Sequence, residues 1–206
     1  MSINKRKFQI LANALKGIEV ILKKINYHGE ILELESEPEP KIKRCVVAID
    51  WDNVKSNLRD IGKQFDFAGF VKILVNNFNF KIGDLRLYLP HSSYYELPNN
   101  VNRLGYSIEI CQKLNEFISI EKREDKVDSV MATVVGRFLN FQEITHVVIL
   151  THDFHSTELI AESVKQGKKV MIFADKNKMK PELIEVIDQL EIPVYPLPSK
   201  DKSSSF

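Results

Sequence analysis

The chain has 206 residues, 29 basic and 28 acidic side chains, a net charge of +1 and 44% hydrophobic residues. That length and composition predict one globular domain with at most a small appendage, large enough to fold without a disulfide or a metal. They exclude a disordered chain and a secreted disulfide scaffold, and no apolar stretch approaches the ~18 residues of a membrane span.

Residues 1–29 read as an amphipathic helix. Phe8, Leu11, Leu15, Ile18, Leu22 and Ile25 step by 3, 4, 3, 4 and 3, the spacing of one helix face. Lys5, Arg6, Lys7, Lys16, Lys23 and Lys24 make the segment basic. Its apolar face can dock on its own domain or pair with a second copy as a homodimer, and its lysines can meet nucleic acid. Met1–Ile10 has no apolar core ahead of a small-residue cleavage site, so no secretory signal is expected. Residues 30–43 read as an acidic linker, with Glu30, Glu33, Glu35, Glu37 and Glu39, and with Pro38 and Pro40 as breakers.

From Arg44 the pattern changes to apolar strands alternating with helical segments. Arg44–Ile49 (RCVVAI) is β-branched and nearly continuous, as a strand buried on both faces requires. A helix is expected over Asp66–Phe78, then strands at Leu85–Leu89 and Tyr106–Cys111. Val127–Leu139 has helical period, Thr145–Leu150 is a buried strand and His155–Lys165 a helix. Lys169–Ala174 is a strand, Pro181–Leu190 a helix opened by its proline, and Ile192–Tyr195 a last strand. This alternation predicts an α/β fold of three layers, Rossmann-like, with a mostly parallel central sheet over residues 44–198. Residues 199–206 read as a disordered, serine-rich tail. Cys45 and Cys111 sit inside apolar runs, the pattern of buried thiols in a cytoplasmic protein.

Chemistry in an open parallel sheet gathers beyond the carboxyl ends of the strands, and here those ends are acidic. The first strand runs into Asp50, Trp51, Asp52 and Asn53. The strand ending at Leu150 runs into Thr151, His152, Asp153, Phe154 and His155. Asp128 lies in the first turn of the helix that follows Glu124 and Asp125. Carboxylates gathered without lysines repel one another and raise one another's pKa, a cost that a divalent cation removes. Oxygen-only ligands suit Mg2+ or Mn2+, the apparatus of phosphodiester hydrolysis. An Asp after a strand also serves simply as a helix N-cap.

Three segments together resemble a known family. Val46–Val54 (VVAIDWDNV) is similar to the opening motif of NYN domains, a branch of the PIN-like nucleases, in which a strand ends in Asp-Gly-x-Asn; Asp50 and Asn53 match, and Trp51 replaces the glycine. Asp125–Ala132 (DKVDSVMA) resembles the family's Lys-x-Val-Asp element, with Asp128 in the aspartate place. His146–Ala174 resembles its last block, a strand ending in Asp-x-Asp-Phe followed by a helix, a Gly-Lys turn and a strand; Asp153 and Phe154 match. Thr151 stands where the family usually has the first Asp of that motif, and Val134 where it often has a second Asp after the first.

The resemblance implies a PIN-type domain and a Mg2+- or Mn2+-dependent ribonuclease acting on RNA. The implied site is Asp50, Asn53, Asp128 and Asp153, with Asp50 and Asp153 holding metal and Asp128 completing the shell or positioning water. Asn53 would bond a carboxylate or the scissile phosphate. Asp52, Thr151 and His152 are auxiliary candidates. With only three carboxylates carried over, a degenerate domain that binds RNA or a protein without cutting is the alternative. Asp50-Trp51-Asp52 with Val54 also fits the nucleophile motif of haloacid-dehalogenase-like phosphatases, although Asp175 lacks the late acidic partner that such enzymes need. Lys122, Arg123 and Lys126, beside Lys113, are candidate RNA contacts or a solvated loop. Tyr94 and Tyr95 can stack on bases or pack their loop onto the body.

Overall fold

The computed structural model describes residues 42–111 and 125–202; side chains of Asp125 and Lys126 are outside that description. The N-terminal helix, most of the acidic linker, Lys122 and Arg123 therefore lie outside the described residues.

Strand β1 (Arg44–Asp50) is buried along nearly its whole length, and its side chains alternate between two cores. Cys45, Val47 and Ile49 enter one, Val46 and Ala48 the other. That is the physical meaning of an unbroken apolar run: both faces of the pleat are covered. Helix α1 (Trp51–Asp60) starts on the next residue, followed by β2 (Lys63–Phe65) and α2 (Phe67–Lys72), which continues as one π-helical turn over Ile73–Asn77. Then come β3 (Lys81–Pro90), α3 (His91–Tyr94), β4 (Ser107–Cys111) and α4 (Asp125–Leu139). The chain continues through β5 (His146–Leu150), α5 (Thr157–Lys165), β6 (Lys169–Phe173), α6 (Pro181–Gln189), β7 (Val194–Tyr195) and β8 (Ser199–Asp201).

Six strands form one sheet in the order β4-β3-β1-β5-β6-β7, with every neighbouring pair parallel. α1 and α2 cover one face through Trp51, Val54, Leu58, Phe67, Phe70 and Leu74. α4, α5 and α6 cover the other through Met131, Val135, Leu159, Ile160, Leu183 and Ile187. The expected three-layer, Rossmann-like α/β architecture is the observed one. Both cysteines are buried free thiols, and burial pushes Cys45 up to about 12 and Cys111 up to about 11. No helix among the described residues is long and apolar enough to cross a membrane.

The differences from expectation are local. A helix not expected from the sequence, α1, begins at Trp51, with Asp50 at the end of β1 as its N-cap. α1 escapes the sequence pattern because only three of its ten residues are buried, Trp51, Val54 and Leu58. The helix expected from Asp66 to Phe78 loses α geometry after Lys72. The expected loop after β3 opens with the short α3. The tail expected to be disordered from Ser199 begins as β8, which pairs antiparallel with β2 (Lys63 opposite Asp201, Phe65 opposite Ser199). β2 and β8 are polar three-residue segments, so their pairing leaves no periodicity to read.

Candidate active site at the carboxyl edge of the sheet

After β1 the chain builds β3 and β4 on one side, then returns through α4 to lay β5 on the other side of β1. The carboxyl ends of β1 and β5 thus flank the point where strand order reverses, the crevice in which doubly wound sheets bind ligands. Asp50 ends β1, and Asp153 lies three residues past the end of β5. α4 packs over β1 and β3 and carries Asp128 in its first turn.

Asp50 is the best defined of the three. Its Oδ1 caps α1 by accepting the Asn53 backbone N–H at 3.3 Å, and the residue is only 8% exposed. Its pKa is pushed up to about 8, chiefly by burial and next by the charge of Asp128; Asp52 and Asp153 add to the rise, and the bond from Asn53 opposes it. The three sequence-distant carboxylates therefore share one electrostatic neighbourhood. Both roles of a strand-end aspartate hold at once, since Asp50 is a cap as well as a member of the cluster.

Asp153 donates its backbone N–H to Thr151 Oγ1 at 3.1 Å, and its own Oδ1 is buried without a hydrogen-bond partner among the described residues. Thr151 is wholly buried, its hydroxyl occupied by this local turn. Asp128 lines a cleft of about 300 Å3 with Ala132, Phe154, His155 and Glu158. Phe154 is 40% exposed and its ring lies 4.0 Å, centroid to centroid, from that of His155. Asp52 faces Lys55, whose Nζ is 3.5 Å away and also reaches Glu96 at 3.1 Å and Ser93 Oγ at 3.3 Å.

Asn53 and His152 hold the site together rather than facing it. Asn53 Oδ1 accepts the His152 backbone N–H at 2.8 Å and lies 2.9 Å from His152 Nδ1. His152 Nε2 accepts the Asp175 backbone N–H at 2.8 Å. An Nε2 that accepts puts the ring proton on Nδ1, pointed at Asn53. Burial, with a smaller push from Lys178, lowers the His152 pKa to about 4 against the attraction of Asp175, so the ring is neutral at pH 7. Both ring nitrogens are thus engaged, and the auxiliary metal role expected for His152 has no lone pair left to serve it. Asn53 likewise spends its acceptor on the fold instead of on a carboxylate or phosphate.

Sequence reasoning missed Asn57 and Lys178, and weighed Asp175 only as a late acidic residue of the phosphatase alternative. Asn57 donates to Asn53 O at 2.8 Å, and Lys178 Nζ reaches Asn57 O at 3.1 Å and Asp60 at 3.2 Å. The i, i+4 spacing of Asn53 and Asn57 was the available signal, usable only once 51–60 is read as a helix. Tyr94 closes α3 partly exposed, edge-on to Tyr95 at 5.6 Å. Lys126 falls in the first turn of α4.

The donor set is oxygen-only, which suits a hard cation held by one or two carboxylates and completed by water. The crowding of charge around Asp50 and the unpartnered Asp153 Oδ1 fit such an ion. Among the described residues, no three His, Cys, Asp or Glu side chains are gathered closely enough to cage one.

No family model matches the chain, and no curated protein matches it by sequence. Among solved structures it is similar to a protein of unknown function from Vibrio parahaemolyticus, with a TM-score of 0.61 at 12% identity, over 76% of this chain and 93% of the other. A weaker likeness, TM-score 0.37 at 12% identity, is to Staphylococcus aureus homoserine dehydrogenase, over 75% of this chain but 32% of that one. The Vibrio likeness supports the three-layer fold.

Proposed function

We propose that this chain is a metal-dependent ribonuclease of PIN type, in which Asp50, Asp128 and Asp153 form the catalytic cluster at the carboxyl edge of the sheet. The observation that carries the reading is the buried Asp50 carboxyl, its pKa raised chiefly by burial and then by Asp128, with its neighbour Asp52 and the distant Asp153 adding to the rise. A fold with no use for a cation gains nothing from that repulsion.

Asp50 and Asp153 would hold Mg2+ or Mn2+, and Asp128 would orient the attacking water. The bound ion would supply an activated water and neutralise charge on the leaving oxygen. As a ligand, Asp50 would be ionised. Asn53 and His152 keep the starts of α1 and of the β5 loop in register, so that Asp50 and Asp153 face the same phosphate. Phe154, exposed beside Asp153, offers a face for an unpaired base. The phosphatase reading has less support, because Asp175 lacks a second acidic residue at the short spacing that such enzymes need.

The test is cleavage of an end-labelled, unstructured RNA with Mg2+, with Mn2+ and with EDTA. Cutting is expected only with metal, and Asp153→Asn should slow it by roughly two orders of magnitude or more. An Asp153→Asn protein that cuts as wild type does would remove the assignment. No cutting by clean wild-type protein would leave the non-catalytic RNA-binding module.

A further inference from the structure

The amino-terminal edge of the same sheet holds a second cavity, about 470 Å3 in volume. It opens where β5 and β6 begin, separated from the carboxylate cluster by the length of β1, roughly 20 Å for seven residues. Its walls are apolar and aromatic, with Phe78, Phe80, Met171, Ile192, Pro193 and Tyr195. Phe78 stacks on Phe80 at 5.7 Å and meets Tyr195 edge-on at 5.0 Å. Such a lining with a few polar groups, in a space of this size, is what small organic ligands occupy.

Its charged groups are three lysines and one glutamate. Lys43, Lys168 and Lys169 line the cavity. Lys168 is committed to the fold, its Nζ donating to Phe141 O and Ile144 O, both at 2.9 Å. Lys43 and Lys169 lie within ion-pair distance of no carboxylate among the described residues. Glu191 lines the cavity as well, yet it pairs with neither.

His146 lies beneath them, 9% exposed, its ring 4.7 Å from that of Phe80. Its Nδ1 is 2.7 Å from Thr145 Oγ1. That hydroxyl also accepts the Arg44 N–H at 3.1 Å and donates to the Arg44 carbonyl at 3.1 Å. The other ring nitrogen, Nε2, has no partner among the described residues. Burial lowers the His146 pKa to about 4, and the charges of Lys169 and Lys43, which line the same cavity, push it the same way.

We infer that this cavity binds a small planar organic anion, its aromatic body against Phe78 and Phe80 and its acidic group between Lys43 and Lys169. An anion supplies the counter-charge that no carboxylate among the described residues gives the two lysines. The inference is independent of the ribonuclease reading, since it uses the opposite edge of the sheet and none of the carboxylates.

The test uses the full chain and two fluorescent probes with one ring system, anionic 1-anilinonaphthalene-8-sulfonate and uncharged N-phenyl-1-naphthylamine. Saturable binding of the sulfonate is expected. Lys43→Met with Lys169→Met should weaken it about tenfold and leave the uncharged probe unchanged. Asp50→Asn should alter neither. Both lysines are exposed, so the paired variant should keep the wild-type circular dichroism. In wild-type protein the His146 ring resonances should move as the sulfonate is added. Absent saturable binding, an unshifted His146 ring, or equal sulfonate affinity in the paired variant would each overturn the inference.

Discussion

At the scale of single residues, Asp50 is the group whose chemistry most depends on its surroundings. Its carboxyl keeps its proton in the native state up to about pH 8, whereas the unfolded chain loses it near pH 4. Between those values Asp50 holds its proton only in the folded state, so its contribution to stability falls as pH rises and is lost above pH 8. Asp50→Asn keeps an oxygen for the α1 cap and removes the titration. In metal-free buffer its melting temperature should match wild type near pH 5 and exceed it by roughly 5 °C near pH 8.5. Equal melting temperatures at both pH values would mean that the carboxylates do not confront one another. Excess Mg2+ should narrow the gap, because the cation offsets the repulsion in wild type alone.

At the scale of elements, the site depends on a stitch between α1, the loop after β5 and the end of β6. His152 is its centre, joining Asn53 and Asp175 across 99 and 23 residues of sequence. His152→Ala would leave the Asp175 N–H without its acceptor and take the ring N–H from Asn53 Oδ1, which keeps the backbone N–H of residue 152, at a cost of about 1–3 kcal/mol. The expected drop in melting temperature is roughly 3–10 °C, measured by calorimetry with metal absent. Asn53→Ala should cost a similar amount by stranding the His152 N–H, and the double variant should cost less than the sum because the two share one bond network. Additive losses would show that the residues act separately. The sequence marked Asn53 and His152 as site residues, yet their work is to fix loop positions, which only partners so far away in the chain could reveal.

At the scale of the whole molecule, two buried neutral histidines oppose Asp50. His146 and His152 both have their pKa lowered to about 4, so the unfolded chain takes up two protons between pH 6.5 and 4 that the native state refuses. Across that window Asp50 contributes one proton in the other sense. The histidines prevail, and stability falls on acidification; above pH 6.5 only Asp50 remains, and stability falls on alkalinisation. The metal-free protein should therefore be most stable near about pH 6.5. A melting temperature that rises steadily to pH 8 in EDTA would contradict this balance.

The amino-acid sequence by itself determined the layered sheet. β1, β5 and β6 must be covered on both faces because nearly all their side chains are apolar, and burial of that surface leaves one class of architecture. It also placed acidic residues at the strand ends, since a strand that stops at a polar residue exposes it at an edge. Tertiary structure alone decided which of those residues meet. The strand order put Asp50 beside the loop bearing Asp153 and brought Asp128 over both. The same packing turned Asn53 and His152 inward, spent Thr151 on a turn, and closed a cationic aromatic cavity at the far edge from residues between Lys43 and Tyr195. Periodicity encodes which face of an element is buried; it carries no record of which distant element covers that face, and the chemistry of this protein lies in those pairings.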